Sequence, residues 1–475
     1  MKEEISNLQI TQLAKSIREK KVSPVEITKL FLNQIKEFNP QINAFITIME
    51  KQALEDAKKA EKKLMNETYR GPLHGIPVGL KDLVFTKDIK TTMASPIYKN
   101  FIPKKNAAIV GKLKDAGAII IGKLNTHQFA YGPTGDRSYY GPVKNPYDLN
   151  KMSGGSSSGS AAALAANMCL GAIGTDTAGS IRIPASFCGV VGMKPTYGLV
   201  SKRGVYPLSK TLDHVGPMTK SIEDNALFLN IIAGYDPLDF NSKKLETYPD
   251  YSKNINKSIK GVVIGIPQNF FFDNVDEEIT KSIENSINLL KELGAIIVEI
   301  EIPNVQNHIL EQQLILRSEA YTTHKQHLEN PKNAWDEEVR MRLYTGEGIS
   351  ADSYIKAQEE RVTTYYKFKK LFEKIDILIS PTAAMLPPDI EQREINHGIF
   401  KGQHIRWPIL RLTSLFNFIG FPAMSLPCGL SKNNLPIGVQ LIGDMFQEQK
   451  LYQIGDALFK ASNISERLKQ KNLFR

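Results

Sequence analysis

The 475-residue sequence has only three cysteines and two tryptophans, and it contains no long hydrophobic run. Cys169, Cys188 and Cys428 lie far apart without a CxxC pair, so neither a disulfide framework nor a zinc site is predicted. The longest weakly polar stretch, 160–174, is shorter than the roughly 18 residues that a membrane span needs. No apolar signal-peptide core follows the N-terminus. These absences predict a cytoplasmic protein without a metal, another cofactor or a membrane partner.

Acidic residues are the minority charge: 60 basic residues face 50 acidic ones, which gives a net charge of +10 at pH 7. Arginine is scarce, at 14 residues against 46 lysines, and the lysines occur in mixed runs such as 58–63 that are typical of a solvated helix face. A nucleic-acid interface is expected to cluster arginines with aromatic residues between them. The charge distribution therefore predicts no nucleic-acid partner.

Short apolar runs separated by glycine and proline follow a helical N-terminal region, 1–66. They predict strands at 75–80, 118–121, 261–265, 295–300, 375–379, 423–426 and 438–442, and helices at 107–116, 277–293 and 353–374. This βαβ rhythm predicts an α/β fold, a single large α/β/α domain over 1–475 with a central mixed, largely parallel sheet covered by helices on both faces. Its parts are the region 1–66, a core at 67–235 and a C-terminal part at 261–475, with a surface excursion at 236–260.

A Gly/Ser-rich stretch at 153–160 leads directly into the helix-forming run 161–166. Such a loop presents backbone N–H groups and hydroxyls at a helix N-terminus, as oxyanion sites require. Residues 155–159 match G-x-S-x-G, but that nucleophile elbow needs a strand before it, and 145–151 predicts a loop. The adjacent Asp213 and His214 point in different directions, so we predict no Ser-His-Asp triad.

Two further segments carry candidate chemistry. In the Gly-rich turn 174–184, Ser180 follows small residues whose N–H groups can converge, and Asp176 and Arg182 can brace the turn. Lys81 ends an apolar strand, where burial disfavours its charged form and lowers its pKa. Taken alone, Lys81 is also consistent with a structural lysine whose stem is buried and whose amine reaches solvent.

Together these segments resemble the amidase signature family. The matching motifs are G-I-P-V-G-L-K-D at 75–82, G-G-S-S at 154–157 and G-T-D-T-A-G-S-I-R at 174–182, and the similarity continues through 187–196, 212–217, 413–428 and 435–443. The 24 residues from Ser156 to Ser180 are typical of the family's paired serines. The resemblance covers most of the chain.

The resemblance implies an amide hydrolase in which Ser180 attacks a carbonyl to form an acyl-enzyme. Ser156, after a cis peptide bond from Gly155, would relay the proton to neutral Lys81, which returns it to the leaving nitrogen. The implied oxyanion donors are the backbone N–H groups of Thr177, Ala178, Gly179 and Ser180, and the implied supporting residues are Ser157, Asp176 and Arg182. Many members have glycine at position 178, so we predict a negative φ for the alanine here.

Within the family, stand-alone hydrolases differ from the A subunits of aminoacyl-tRNA amidotransferases, which free ammonia from glutamine. In those proteins an acidic residue upstream of the 413–422 segment can hold the glutamine ammonium, whereas this chain has no Asp or Glu from Ile395 to Gly443. The missing charge-assisted hydrogen bond is worth about 1.5–3 kcal/mol. We therefore expect a stand-alone hydrolase rather than an amidotransferase component. Only the amidotransferase component would have a nucleic-acid partner.

The expected substrate is a small-molecule amide, and the expected assembly is a monomer or homodimer. His127, Tyr131 and Trp407 are candidate pocket residues near the site. A hypothesis of another class is an inactive scaffold. The joint presence of Lys81, Ser156 and Ser180 argues against it, since a scaffold needs none of them.

Overall fold

A computed structural model describes residues 8–302, 304–330, 334–396 and 398–474. Of the predicted helical region 1–66, residues 1–7 lie outside the described residues. The remainder forms α1 (Ile10–Arg18), α2 (Pro24–Ile42) and α3 (Glu50–Met65). Ser23 caps α2 by accepting a hydrogen bond from the Val25 N–H at 3.0 Å. A four-residue strand, β1 (Phe45–Ile48), interrupts this region and was not predicted.

One mixed sheet of 11 strands collects the apolar runs of the described chain. Its strands after β1 are β2 (Pro77–Lys81), β3 (Ile119–Leu124), β6 (Gly171–Asp176), β7 (Val191–Lys194), β8 (His214–Thr219), β9 (Val263–Pro267), β10 (Ile296–Ile300), β11 (Ile377–Pro381), β12 (Ala423–Leu430) and β13 (Pro436–Gly443). The order is β1-β3-β2-β6-β8-β7-β12-β13-β11-β9-β10, with parallel pairing in the blocks β3-β2-β6 and β11-β9-β10. The predicted α/β fold with one central mixed sheet is confirmed.

Helices flank the sheet. They are α4 (Ala108–Asp115), α5 (Ser158–Ala165), α6 (Arg182–Phe187), α7 (Ile222–Ile232), α8 (Glu277–Glu292), α9 (Val305–Leu328), α10 (Glu337–Tyr344), α11 (Ala351–Leu371), α12 (Arg406–Leu410), α13 (Ser414–Phe418), α14 (Glu448–Ala461) and α15 (Ile464–Lys471). The helices predicted at 107–116, 277–293 and 353–374 correspond to α4, α8 and α11. Among the helices of the described residues, none is both long enough and apolar enough to cross a membrane.

The segment before the Gly/Ser stretch differs from its predicted loop. It forms a separate hairpin of β4 (Lys144–Asn145) and β5 (Asp148–Met152), held partly by the Asn145 side chain, which donates to the Met152 carbonyl at 3.1 Å. The polar residues of β5 carry no apolar alternation, so the sequence pattern does not indicate a strand. A strand, β5, does precede the Gly/Ser stretch, so its predicted absence was a wrong argument against a nucleophile elbow. This strand lies outside the main sheet.

Helix α5 lies against the end of β3, and a glycine makes this close approach possible. The Gly159 N–H donates to the Asn125 carbonyl at 2.9 Å. A Cβ at Gly159 would lie 2.4 Å from the Ala44 carbonyl oxygen and 2.5 Å from the Asn125 nitrogen. Both are backbone atoms, which cannot rotate away. This contact therefore sets the position of the loop that carries Ser156 and Ser157.

We expect Gly159→Ala to destabilise the fold by about 1–3 kcal/mol, because the added methyl group overpacks against backbone. Amide-cleaving activity should fall with it, since α5 positions the Gly/Ser loop. The matched control is Gly111→Ala in α4, where a Cβ meets nothing within 4 Å. That change should be neutral or stabilise by up to about 1 kcal/mol. Thermal melting and rates of amide hydrolysis check both variants; equal melting temperatures would contradict the packing argument.

Candidate active site

Lys81, the last residue of β2, lies at the centre of a fully buried group of hydroxyls. Its Nζ atom is 2.7 Å from Ser156 Oγ, 3.0 Å from Ser157 Oγ and 2.8 Å from Thr175 Oγ1. Burial lowers the pKa of Lys81 to about 7, against the opposing effect of the negative charges of Asp176 and Asp213. At neutral pH a large fraction of this lysine is therefore the free amine, which can accept a proton.

The hydrogen bonds of Ser157 assign a direction to those of Lys81. The Ser157 hydroxyl donates to the Thr175 carbonyl at 3.1 Å, so its oxygen must accept from the amine. A neutral amine has two N–H donors and one lone pair. With Ser157 and Thr175 as acceptors of the two N–H bonds, the lone pair is left for the Ser156 hydroxyl. This arrangement draws the Ser156 proton toward Lys81 and frees the Ser156 oxygen to accept another proton.

Ser180 lies in the turn between β6 and α6, in front of this buried group. The Ser157 N–H donates to the Ser180 carbonyl at 3.1 Å, which joins the two serine-bearing segments, and the Gly155–Ser156 peptide bond is cis. Ser180 is 7% exposed, whereas Lys81 and Ser156 are fully buried. Ser180 is thus the only one of these three residues with any solvent exposure, while the Lys81 amine and the Ser156 hydroxyl are shielded from water.

A buried ion pair holds the Ser180 turn. The Asp176 carboxylate accepts from the Gly179 N–H at 2.7 Å and the Ile181 N–H at 3.1 Å. It also accepts two bonds of 3.0 Å from Nε and Nη2 of Arg182. Burial alone would raise the pKa of Asp176, but the charge and hydrogen bonds of Arg182 hold it well below its usual range. The carboxylate therefore stays ionised and fixes both ends of the turn.

The four N–H groups expected to form an oxyanion hole are not equivalent. That of Gly179 is already donated to Asp176, whereas those of Thr177, Ala178 and Ser180 have no hydrogen-bond partner in the described part of the chain. Ala178 lies outside the left-handed region, and the following Gly179 has φ of 135°. The backbone reversal thus falls on the glycine, and three N–H donors remain available.

The sequence did not predict several polar residues of the site. Thr413 Oγ1 donates to the Ala178 carbonyl at 2.6 Å, and Asn417 Nδ2 donates to Asp176 Oδ1 at 2.8 Å. Arg182 also donates to the side chains of Asn417 and Gln440. They could have been expected from the number of N–H donors of Arg182, because a buried guanidinium needs acceptors beyond one carboxylate.

The three candidate pocket residues occupy different surroundings. The His127 N–H donates to the Ser156 carbonyl at 3.3 Å, and burial, with the charge of Arg342, lowers the pKa of its imidazole to about 3. Tyr131 lies under the guanidinium of Arg342, 5.4 Å from ring centre to Cζ. Trp407 instead packs against Phe270 and lines a cavity that includes none of the catalytic candidates. The structure thus places two of the three near the serines.

Comparison with known proteins gives one family. A family model described as Amidase matches residues 26–452. The A subunit of the glutamyl-tRNA(Gln) amidotransferase of Alkaliphilus metalliredigens (strain QYMF) is 38% identical, with 98% of this chain and 99% of that protein covered. The solved structure of the corresponding protein from Thermotoga maritima has a TM-score of 0.80 at 33% identity, covering 96% of this chain and 95% of that one.

A second solved structure comes from a protein complex described as vestigial, in connection with the evolutionary origins of an s-triazine catabolic enzyme. Its TM-score is 0.91 at 30% identity, covering 95% of this chain and 98% of that one.

Asp176→Asn should destabilise the protein by about 3–5 kcal/mol, because it leaves the Arg182 guanidinium buried without its counter-charge. Asp352→Asn is the control, since Asp352 pairs with Lys356 at 3.0 Å on the exposed face of α11. The free energy of unfolding of Asp352→Asn should differ from that of the wild type by no more than about 0.5 kcal/mol. Urea unfolding measures both, and similar midpoints for the two variants would contradict a structural role for the buried pair.

Proposed function

The chain belongs to the amidase family, and from this premise we propose that Ser180 cleaves a carboxylic amide through an acyl-enzyme. The observation that carries the proposal is the buried Lys81 amine 2.7 Å from Ser156 Oγ, with a pKa of about 7. Burial also lowers the pKa of Lys123, but that amine donates to the Val84 carbonyl and to Thr91, whereas the Lys81 amine contacts Ser156. A base must be unprotonated at the working pH and must reach the proton that it accepts, and Lys81 meets both requirements.

In the proposed reaction, Lys81 takes the Ser156 proton while Ser156 takes the proton of Ser180. The Ser180 oxygen attacks the amide carbonyl, and the N–H groups of Thr177, Ala178 and Ser180 receive the developing oxyanion. The C–N bond then breaks as Lys81, through Ser156, returns the proton to the leaving nitrogen. Water attacks the acyl-enzyme by the same relay and releases the carboxylic acid.

The relatives favour an amidotransferase as the setting for this reaction, whereas the sequence of the pocket segment favoured a stand-alone hydrolase. Curated proteins similar over almost the whole chain are A subunits of glutamyl-tRNA(Gln) amidotransferases. On this basis we propose that the amide is glutamine, that the released ammonia passes to a tRNA-bound acceptor, and that the chain works with partner proteins. The net charge of +10 would then favour the approach of the anionic tRNA to such a complex.

A stand-alone hydrolase is the second candidate, and one observation favours it. The segment upstream of Thr413 contributes Arg406, not a carboxylate, to the surroundings of Tyr131. Glu338, an acid of these surroundings, is already paired with Arg137, Arg342 and Arg393. Both candidates share the Ser180 chemistry and differ in what the acyl part of the substrate carries.

We expect kcat/KM for amide hydrolysis to rise with pH through about 7 and then level off, because the Lys81 amine is protonated below its pKa and free above it. Lys81→Met should lower kcat/KM by about 10²–10⁴-fold and flatten the profile. Initial rates from pH 5.5 to 9 test this, with Ser180→Ala as the baseline. A rising profile that survives in Lys81→Met would assign the titration to another group.

The amidotransferase setting predicts that a tagged chain co-purifies with two other subunits from its own cells, and that the complex releases ammonia from glutamine. The Ser180→Ala chain should still assemble but release none. Ammonia release is measured by a coupled dehydrogenase assay. A chain that purifies alone and cleaves amides other than glutamine would support the stand-alone hydrolase instead.

A further inference from the structure

Gln312 on α9 is fully buried and reaches the turn that carries Ser180. Its Nε2 donates to the Thr177 carbonyl at 3.3 Å, while its Oε1 has no hydrogen-bond partner in the described part of the chain. Buried polar atoms normally have partners, and an unpaired acceptor costs free energy that an apolar side chain would avoid. The glutamine at this position is therefore explained by its N–H donor rather than by packing.

This hydrogen bond is one of three similar ones along the turn. Three consecutive carbonyls each accept from a different side chain: that of Asp176 from Asn417 Nδ2 at 2.9 Å, that of Thr177 from Gln312, and that of Ala178 from Thr413 Oγ1 at 2.6 Å. In a planar trans peptide unit the C=O and N–H bonds point in opposite directions. A side chain that holds a carbonyl therefore also fixes the direction of the N–H group in the same unit.

The N–H groups of these peptide units include two of the candidate oxyanion donors. The Asp176 carbonyl shares a peptide unit with the Thr177 N–H, and the Thr177 carbonyl shares one with the Ala178 N–H. Both N–H groups lack a hydrogen-bond partner in the described residues. The third N–H group, that of Gly179, is donated to the Asp176 carboxylate at 2.7 Å. Gln312 is thus the side chain that fixes the direction of the Ala178 N–H.

We propose that Gln312 is a positioning residue for the reaction at Ser180. By holding the Thr177 carbonyl, it aims the Ala178 N–H at the oxyanion that forms when Ser180 attacks the amide. A donor that is already aimed stabilises the charge developing in the transition state without having to reorient. The inference rests on the proposed amide cleavage and adds to it a residue of α9 that acts through the turn.

Gln312 can be changed with less effect on the fold than the other two side chains. Asn417 also donates to the Asp176 carboxylate and accepts from Arg182, so a change there would disturb the buried ion pair. In Gln312→Met, the unpaired oxygen of the glutamine is lost and the Thr177 carbonyl becomes unpaired instead. The melting temperature should therefore change by less than about 3 °C.

The kinetic test compares Gln312→Met with the wild type on two primary amides, glutamine and butanamide. Because the oxyanion is common to both, kcat should fall about 10- to 100-fold for each amide that the wild type cleaves, with KM changed less than about twofold. Butanal, whose adduct with Ser180 places an oxygen where the oxyanion forms, should bind more weakly by a similar factor. Gln326→Met changes an exposed glutamine of the same helix and should match the wild type.

A labelling test separates this proposal from the proposed function. A fluorophosphonate that reacts with Ser180 places its phosphoryl oxygen where the oxyanion forms, so Gln312→Met should be labelled about tenfold or more slowly than the wild type. Equal labelling rates, an effect on KM alone, or a loss explained by a lower melting temperature would overturn the role of Gln312. If the wild type cleaves neither amide but Ser180 is labelled, amide cleavage fails while the labelling rates still decide the role of Gln312. If Ser180 resists the probe as well, both proposals fail.

Discussion

The burial of Lys81 is the constraint on which the rest of the site depends. An amine buried at the carboxyl end of β2 loses hydration, and this loss lowers its pKa to about 7. The same site needs a carboxylate to hold the Ser180 turn, and the Asp176 charge acts on Lys81 in the opposite direction. Arg182 resolves this conflict, because its bidentate contact balances the Asp176 charge while leaving the carboxylate able to accept from the turn. The ion pair therefore serves both the shape of the turn and the proton affinity of the lysine.

Sheet topology explains why residues so far apart in sequence meet here. β2 and β6 are parallel neighbours, with Leu80 opposite Ile173, so their carboxyl ends share one edge of the sheet. Lys81 consequently lies one residue short of Thr175 along the edge, close enough for its Nζ to be 2.8 Å from Thr175 Oγ1. The antiparallel β8 then brings Asp213 to the same edge, since His214 pairs with Asp176. The loop before helix α5 supplies Ser156 and Ser157, and Gly159 of the helix positions this loop by packing directly on the backbone beside β3.

Much of this arrangement can be predicted from sequence, and the failures share a cause. Apolar runs predict strands β2, β3 and β9 to β13, and the three catalytic candidates follow from their motifs. Strands β1, β4 and β5 were not predicted because they are short or polar. The buried strands β6, β7 and β8 were not predicted either, because they contain glycine, proline or polar residues, so their pairing rather than an apolar run identifies them. The N–H of Gly179 was assigned to the oxyanion because its use by Asp176 depends on three-dimensional geometry. Trp407 was assigned to the pocket, but it packs against Phe270 instead.

Identity over the whole chain and chemistry in the pocket bear on different questions. The 38% identity with the A subunit of a glutamyl-tRNA(Gln) amidotransferase covers 98% of this chain, so the matched region includes the sheet, its helices and the Ser180 turn. Those parts are common to enzymes that cleave different amides, since a fold does not determine its substrate. Substrate choice depends on differences in binding free energy at a few positions, and the sign of a charge at such a position decides which substrate groups are attracted. The overall similarity therefore bears on the reaction at Ser180, while the charges around Tyr131 bear on the acyl group that the site accepts.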